Sequence, residues 1–140
     1  MTPRLGPTSE TRGESWRGRR NSAEAFRTAA ERLADLHEEG ENANPILLLI
    51  IHAAIAYGDA LTDKFGRVQN RKDHQALANL VDKTLGARAE ANQIQRLRRI
   101  IGLKDEASYG AKIGRIDSAR KLLENLQSFG DWANDMLEGA

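Results

Sequence analysis

The sequence predicts an all-α protein, an up-and-down bundle of four to five helices, and three observations carry that expectation. Apolar residues recur at three-and-four spacing in one segment after another. No alternating run of useful length and no internal repeat competes with that pattern. The breaks between periodic segments are short, which makes sequential helices antiparallel neighbours. At 140 residues the chain has the size of one domain with a real hydrophobic core.

Residues 1–20 are rich in Arg, Gly, Ser, Thr and Pro and show no apolar period, the composition of a disordered basic arm. Trp16, among Arg12, Arg17, Arg19 and Arg20, is its one large apolar group and suits stacking on a base or docking on a partner. The single helical-bundle domain is expected over 21–140. Its first helix starts at Asn21, carries the stripe Phe26, Ala29, Ala30, Leu33 and Leu36, and stops at Gly40. The second spans about 45–65, with Asn44 as N-cap, Pro45 at the first helical position and Gly66 beyond the end. Its first half, Ile46 to Ile51, is apolar on every side, which makes it the central helix.

After a loop over 66–72, Leu77, Leu80, Val81, Thr84 and Leu85 define a third helix ending at Gly86, with His74 one turn ahead of Leu77. A fourth follows on Ala91, Ile94, Leu97, Ile100 and Ile101, its opposite face carrying Arg96, Arg98, Arg99 and Lys104. Gly110 and Gly114 interrupt a short segment. The last helix runs from Ile116 through Leu126 and Phe129 to Met136, with Gly130 placed to bend or end it.

Net charge is only +1, but it is segregated: +3 over residues 1–20, −6 over 21–63, +7 over 64–104 and −3 over 105–140. A basic middle segment attracts phosphate-bearing partners. The absence of cysteine leaves no disulfide framework and no thiolate metal site, and points to the cytoplasm. The N-terminal residues lack an apolar run of signal-peptide type, and the apolar run at 46–55 is too short for a membrane span and is interrupted by His52.

The three histidines, His37, His52 and His74, lie on separate elements without metal-ligand spacing, so neither a metal nor a cofactor is expected. His37, at the end of the first helix, complements the helix dipole. His52, Asp59 and Asp63 share one side of the second helix. They are either its solvent strip or the wall of a cleft in which His52 or Asp59 orients a catalytic group.

Arg67 and His74, with six residues between them, make the cheapest chemistry. Histidine titrates near neutrality and serves as general base or acid, while arginine stabilises a phosphate or a developing oxyanion. The pair suits metal-free RNA cleavage, in which the 2′-hydroxyl is the nucleophile. Asn70, Arg71 and Lys72 between them, and Arg96, Arg98 and Arg99 further on, suit RNA backbone binding. The structural alternative packs His74 beside Leu77 and leaves the arginines in water.

At these residues the sequence resembles the HEPN domains (higher eukaryotes and prokaryotes nucleotide-binding), all-α bundles marked by an arginine, four to six residues and a histidine. The segments IHAAIAYGDALTDKFG at 51–66, RKDHQALANLV at 71–81 and IIGLKDEASYG at 100–110 are similar to small bacterial HEPN-like proteins in order and spacing. The resemblance implies a homodimer whose paired motifs, Arg67 and His74 here, form a composite ribonuclease site without a metal. Val68 departs from the polar residue that commonly follows the arginine in active members. The resemblance equally implies a rival: a non-catalytic partner-binding module, such as the companion of a minimal nucleotidyltransferase in a toxin–antitoxin pair, docking through apolar faces of the second and last helices.

Overall fold

A computed structural model describes residues 4–109 and 114–139. Among the described residues six helices form the bundle: α1 (Trp16–Leu36), α2 (Asn44–Gly66), α3 (Leu77–Leu85), α4 (Ala91–Ile101), the short α5 (Lys104–Tyr109) and α6 (Ile116–Glu138). The protein is an all-α bundle with one small two-stranded sheet, β1 (Thr8–Glu10) and β2 (Val68–Asn70). Met1 to Pro3 of the expected arm, the expected break at Gly110, and Ala140 lie outside the described residues.

The central helix is α2, packed by α1, α3, α4, α5 and α6 as well as β2. Ile50, Ile51, Tyr57 and Leu61 on it are fully buried. At roughly 2 kcal/mol for each large side chain removed from water, those four are a main source of cohesion. Its length and apolar composition match a membrane span, yet most of that stretch is buried inside the bundle. Ala43 takes the N-cap place expected for Asn44, while Asn42 Oδ1 accepts the N–H groups of Asn44 (3.0 Å) and Gly114 (2.9 Å). Pro45 stands in the first turn, where no intrahelical donor is needed.

Three local expectations are corrected. The N-terminal residues from Arg4 onward have a place in the fold: β1 pairs antiparallel with β2 in the register Thr8–Asn70, Ser9–Gln69 and Glu10–Val68. Arg71 N–H donates to Pro7 O (2.9 Å) and Thr11 N–H to Arg67 O (2.8 Å), extending the pairing. Helix α1 accordingly starts at Trp16, five residues before Asn21, because the indole is buried against Lys64, whose ammonium lies 4.5 Å from the ring centre. The expectation of a disordered arm overlooked this partner because it is sixty residues away.

The second correction concerns the 66–72 loop. A Cβ on Gly58 meets Leu77 at 2.9 Å and one on Gly66 meets Thr84 at 2.7 Å, so α2 and α3 run parallel. The chain returns along β2 before α3 begins; α1 on α2 and α3 on α4 are antiparallel, as short connections require, while α6 runs parallel to α2, with Gly130 at Tyr57 and Leu137 at Lys64. Third, α6 passes through Gly130 without ending. A side chain at Gly130 would come within 2.8 Å of the Tyr57 ring, so this glycine makes room for a neighbour.

Candidate functional site

The polar stripe on α2 is neither a uniform solvent strip nor a single cleft. Asp63 is fully buried, and its Oδ2 accepts Ser15 N–H at 2.9 Å just ahead of α1. Asp59 is half-buried and faces Arg19; burial pushes its carboxyl up to about 6, with the Arg19 charge pulling the other way. Arg19 in turn donates from Nη2 to Gln69 Oε1 at 2.7 Å, tying α1 to β2. Among the described residues no hydrogen bond joins Asp59 to His74, and the orienting role weighed for it has no contact behind it. His52 is exposed, with its ring stacked on Phe26 at 5.5 Å and 30°.

Arg67 follows α2 in the left-handed conformation (φ 50°), where a glycine is the usual residue. Its side chain runs along Gly13. Lys72 has φ 63°, and these two are the non-glycine residues of positive φ among those described. Each costs about 1 kcal/mol and is held by its surroundings. Both lie in the arginine–histidine segment. Asn70 is buried and donates from Nδ2 to Asp73 O at 2.8 Å, which makes it a bracket of the turn into α3. Arg71 and Lys72 are exposed.

His74 opens the 3₁₀ turn His74–Ala76 ahead of α3 and is half-buried. Burial, with the positive charges of Lys104 and His52, holds its imidazole below the ordinary histidine range. Arg67 and His74 of one chain stand at opposite ends of α3. Arg67 adjoins Gly66, level with Thr84, whereas His74 lies a turn before Leu77. At about 1.5 Å per helical residue, more than roughly 10 Å of bundle axis separates them.

The expected RNA-binding arginines of α4 sit on its outer face, Arg96 half-buried and Arg98 and Arg99 exposed. Arg98 bonds Asn79, and Arg99 donates to Asn125 Oδ1 at 3.3 Å. Both partners are neutral amides. The ion pairs among the described residues are Arg4–Asp73, Arg20–Glu138, Arg27–Glu31 and Arg27–Asp131, so none neutralises Arg67, Arg71, Lys72, Arg96, Arg98 or Arg99. Among the described residues no group of three or more His, Asp or Glu is placed to hold a metal. A depression of about 340 Å³ lined by His37, Glu39, Glu41, Arg115 and Asp117 contains none of the expected site residues.

Sequence reasoning missed Arg19 as the partner of Asp59, and Lys104 as a neighbour of His74. The antiparallel register of α1 on α2, set by Ser15–Asp63 and Phe26–His52, carries the first. The second follows from Gln75, whose Nε2 donates to Ile101 O at 3.0 Å and brings the start of α5 to the turn that holds His74. The class defined by fold and site is a helical bundle with several surface cations in no ion pair among the described residues and two histidines near its lower end. No known family model and no curated protein matches the chain. Its function is argued from these residues.

Proposed function

We propose that this protein is a HEPN-like RNA-binding protein that cleaves single-stranded RNA without a metal ion, with His74 as its proton-transfer group. The observation that carries the reading is the set of six cations, Arg67, Arg71, Lys72, Arg96, Arg98 and Arg99, none held in an ion pair among the described residues. Surface arginines with amide partners or none keep their charge available to phosphates. His74, held neutral near pH 7 by burial and by neighbouring positive charge, suits the removal of a proton from a 2′-hydroxyl. Arg67 does not reach His74 of its own chain, so its part in cleavage requires a second copy, as in the homodimer implied by the HEPN resemblance.

The test is cleavage and binding of labelled single-stranded RNA by wild type and His74→Ala in EDTA, with circular dichroism showing both folded. Cleavage lost in the variant with binding kept is the expected result. Removing Arg98 or Arg99 weakens binding to all sequences alike and lowers the salt slope by about one. Loss of cleavage without loss of the variant's binding separates chemistry from affinity. Absence of RNA binding by wild type at low salt overturns the reading.

A second reading is favoured by a different observation. Leu33 (42% exposed) and Leu36 (74%) continue the Phe26 stripe along the outside of α1. The α6 face expected to make a partner interface is instead turned inward, with Leu126, Phe129 and Ala133 buried. In this reading the α1 stripe docks a partner, the second copy or a companion nucleotidyltransferase or antitoxin, and His74 is structural. Then His74→Ala changes stability alone.

A further inference from the structure

Three basic side chains from three elements lie near one another at the lower end of the bundle, the end where α3 begins, close enough for the charges of two to act on the third. The contact between Gly58 and Leu77 fixes α2 and α3 in parallel register, which sets His74, a turn before Leu77, beside the turn of α2 that follows His52. The stack on Phe26 holds the His52 ring at the surface in one orientation. Lys104 begins α5, which packs on α2, and stands three residues beyond Ile101, whose carbonyl takes the Gln75 side-chain N–H. Lys104 and His52 are the charged groups whose fields act on His74. The nearest carboxylate in sequence, Asp73, is engaged by Arg4. None of the three bases has an ion pair or side-chain hydrogen bond among the described residues.

Cleavage of RNA by its own 2′-hydroxyl needs a base, an acid and a cation near the phosphate. We infer that His74, His52 and Lys104 supply these three functions within one chain, so that the chemical step needs no group from a second copy and Arg67 serves in RNA binding alone. The inference rests on the RNA-cleaving reading above and names its remaining groups. His74 takes the proton of the 2′-hydroxyl, and the oxygen attacks phosphorus to form the new P–O2′ bond. The P–O5′ bond breaks, and protonated His52 gives its proton to the departing 5′ oxygen. The products are a 2′,3′-cyclic phosphate and a 5′-hydroxyl. Water then returns each imidazole to its starting state. Lys104 holds the non-bridging oxygens, a point charge suited to that task. Two imidazoles on separate elements allow base and acid to approach a phosphate from different directions.

The test compares full-length wild type with His52→Ala, His52→Gln, His74→Ala, Lys104→Met and Arg67→Ala on a labelled single-stranded RNA in EDTA, with folding checked by circular dichroism. The expected loss of kcat/KM is about 100-fold or more for each histidine variant. Arg67→Ala keeps the wild-type kcat and raises KM alone, as loss of one phosphate contact requires. A substrate with sulfur in place of the 5′ bridging oxygen leaves without an acid. It therefore restores cleavage by His52→Ala and His52→Gln but not by His74→Ala, a rescue that a merely structural His52 does not produce. A wild type that cleaves while Arg67→Ala is dead and His52→Ala is active overturns the inference and leaves RNA cleavage standing with a composite site. Failure of the sulfur substrate to rescue the His52 variants removes the acid role. RNA binding without cleavage in wild type also overturns it. A wild type that binds no RNA removes the underlying reading as well.

Discussion

Asp63 and His52 stand on the same side of α2, about three turns apart, yet Asp63 is sealed beneath the start of α1 while His52 lies in solvent against Phe26. Between them Asp59 is half-buried opposite Arg19. The helix is one and its periodicity is one; the neighbours differ. At the upper end, β1 and the first turn of α1 close over the stripe, and its acids become supports. At the lower end, no strand among the described residues covers it, and two imidazoles and a lysine lie near one another. A run of polar residues on one helix face therefore reports spacing, and only the elements packed beside it decide between support and chemistry.

Substitutions divide these ends, and the largest effect belongs to the lower one. His74→Ala is expected to lower RNA cleavage by about 100-fold or more while urea unfolding shifts little. An equal loss of stability would join the two ends in one role. Next, Asp63→Ala removes the buried acceptor of Ser15 N–H and is expected to cost about 1–3 kcal/mol in urea unfolding, with RNA affinity unchanged.

The pH dependence gives the ends opposite signs. Asp59, raised to about 6 when folded, binds its proton more tightly in the native state. Its contribution is full below the unfolded value of about 3.9 and is lost as pH rises through about 6, by at most about 2–3 kcal/mol. Asp59→Asn removes that fall between pH 4 and 6, measured as the urea midpoint against pH. His74, lowered when folded, does the reverse: its contribution is present above about pH 6.5 and is lost as pH falls below it. His74→Gln flattens that second slope. The smallest effect is at His52, whose replacement by alanine is expected to move stability by no more than about 0.5 kcal/mol.

Much of the bundle was legible because its signals are local. Pro45 and Gly66 bracket α2, and the all-round apolar run at 46–51 marks the helix that every other one packs on. Ile94, Leu97, Ile100 and Ile101 are buried as their spacing requires. His74 as a half-buried start of the third helix was also readable. The pairing of β1 with β2 was not, since three-residue strands carry no alternation and find their partners across the chain. The fate of Asp63 depended on that same unseen covering. The distance between Arg67 and His74 was hidden by the extended return through β2, because spacing in sequence fixes spacing in space only within a helix.

The strap formed by β1 has a consequence in time. Thr8 lies 62 positions ahead of its partner Asn70, so closing their ladder waits until β2 exists. During synthesis β1 leaves the ribosome before β2 and is fixed late, after α1 and α2 have had the chance to pair. Non-local contacts of this kind form slowly and contribute little to early intermediates. A strand made before its partner is thus among the last elements to find its place, and through that interval β2 offers an unpaired edge to any extended segment that reaches it first.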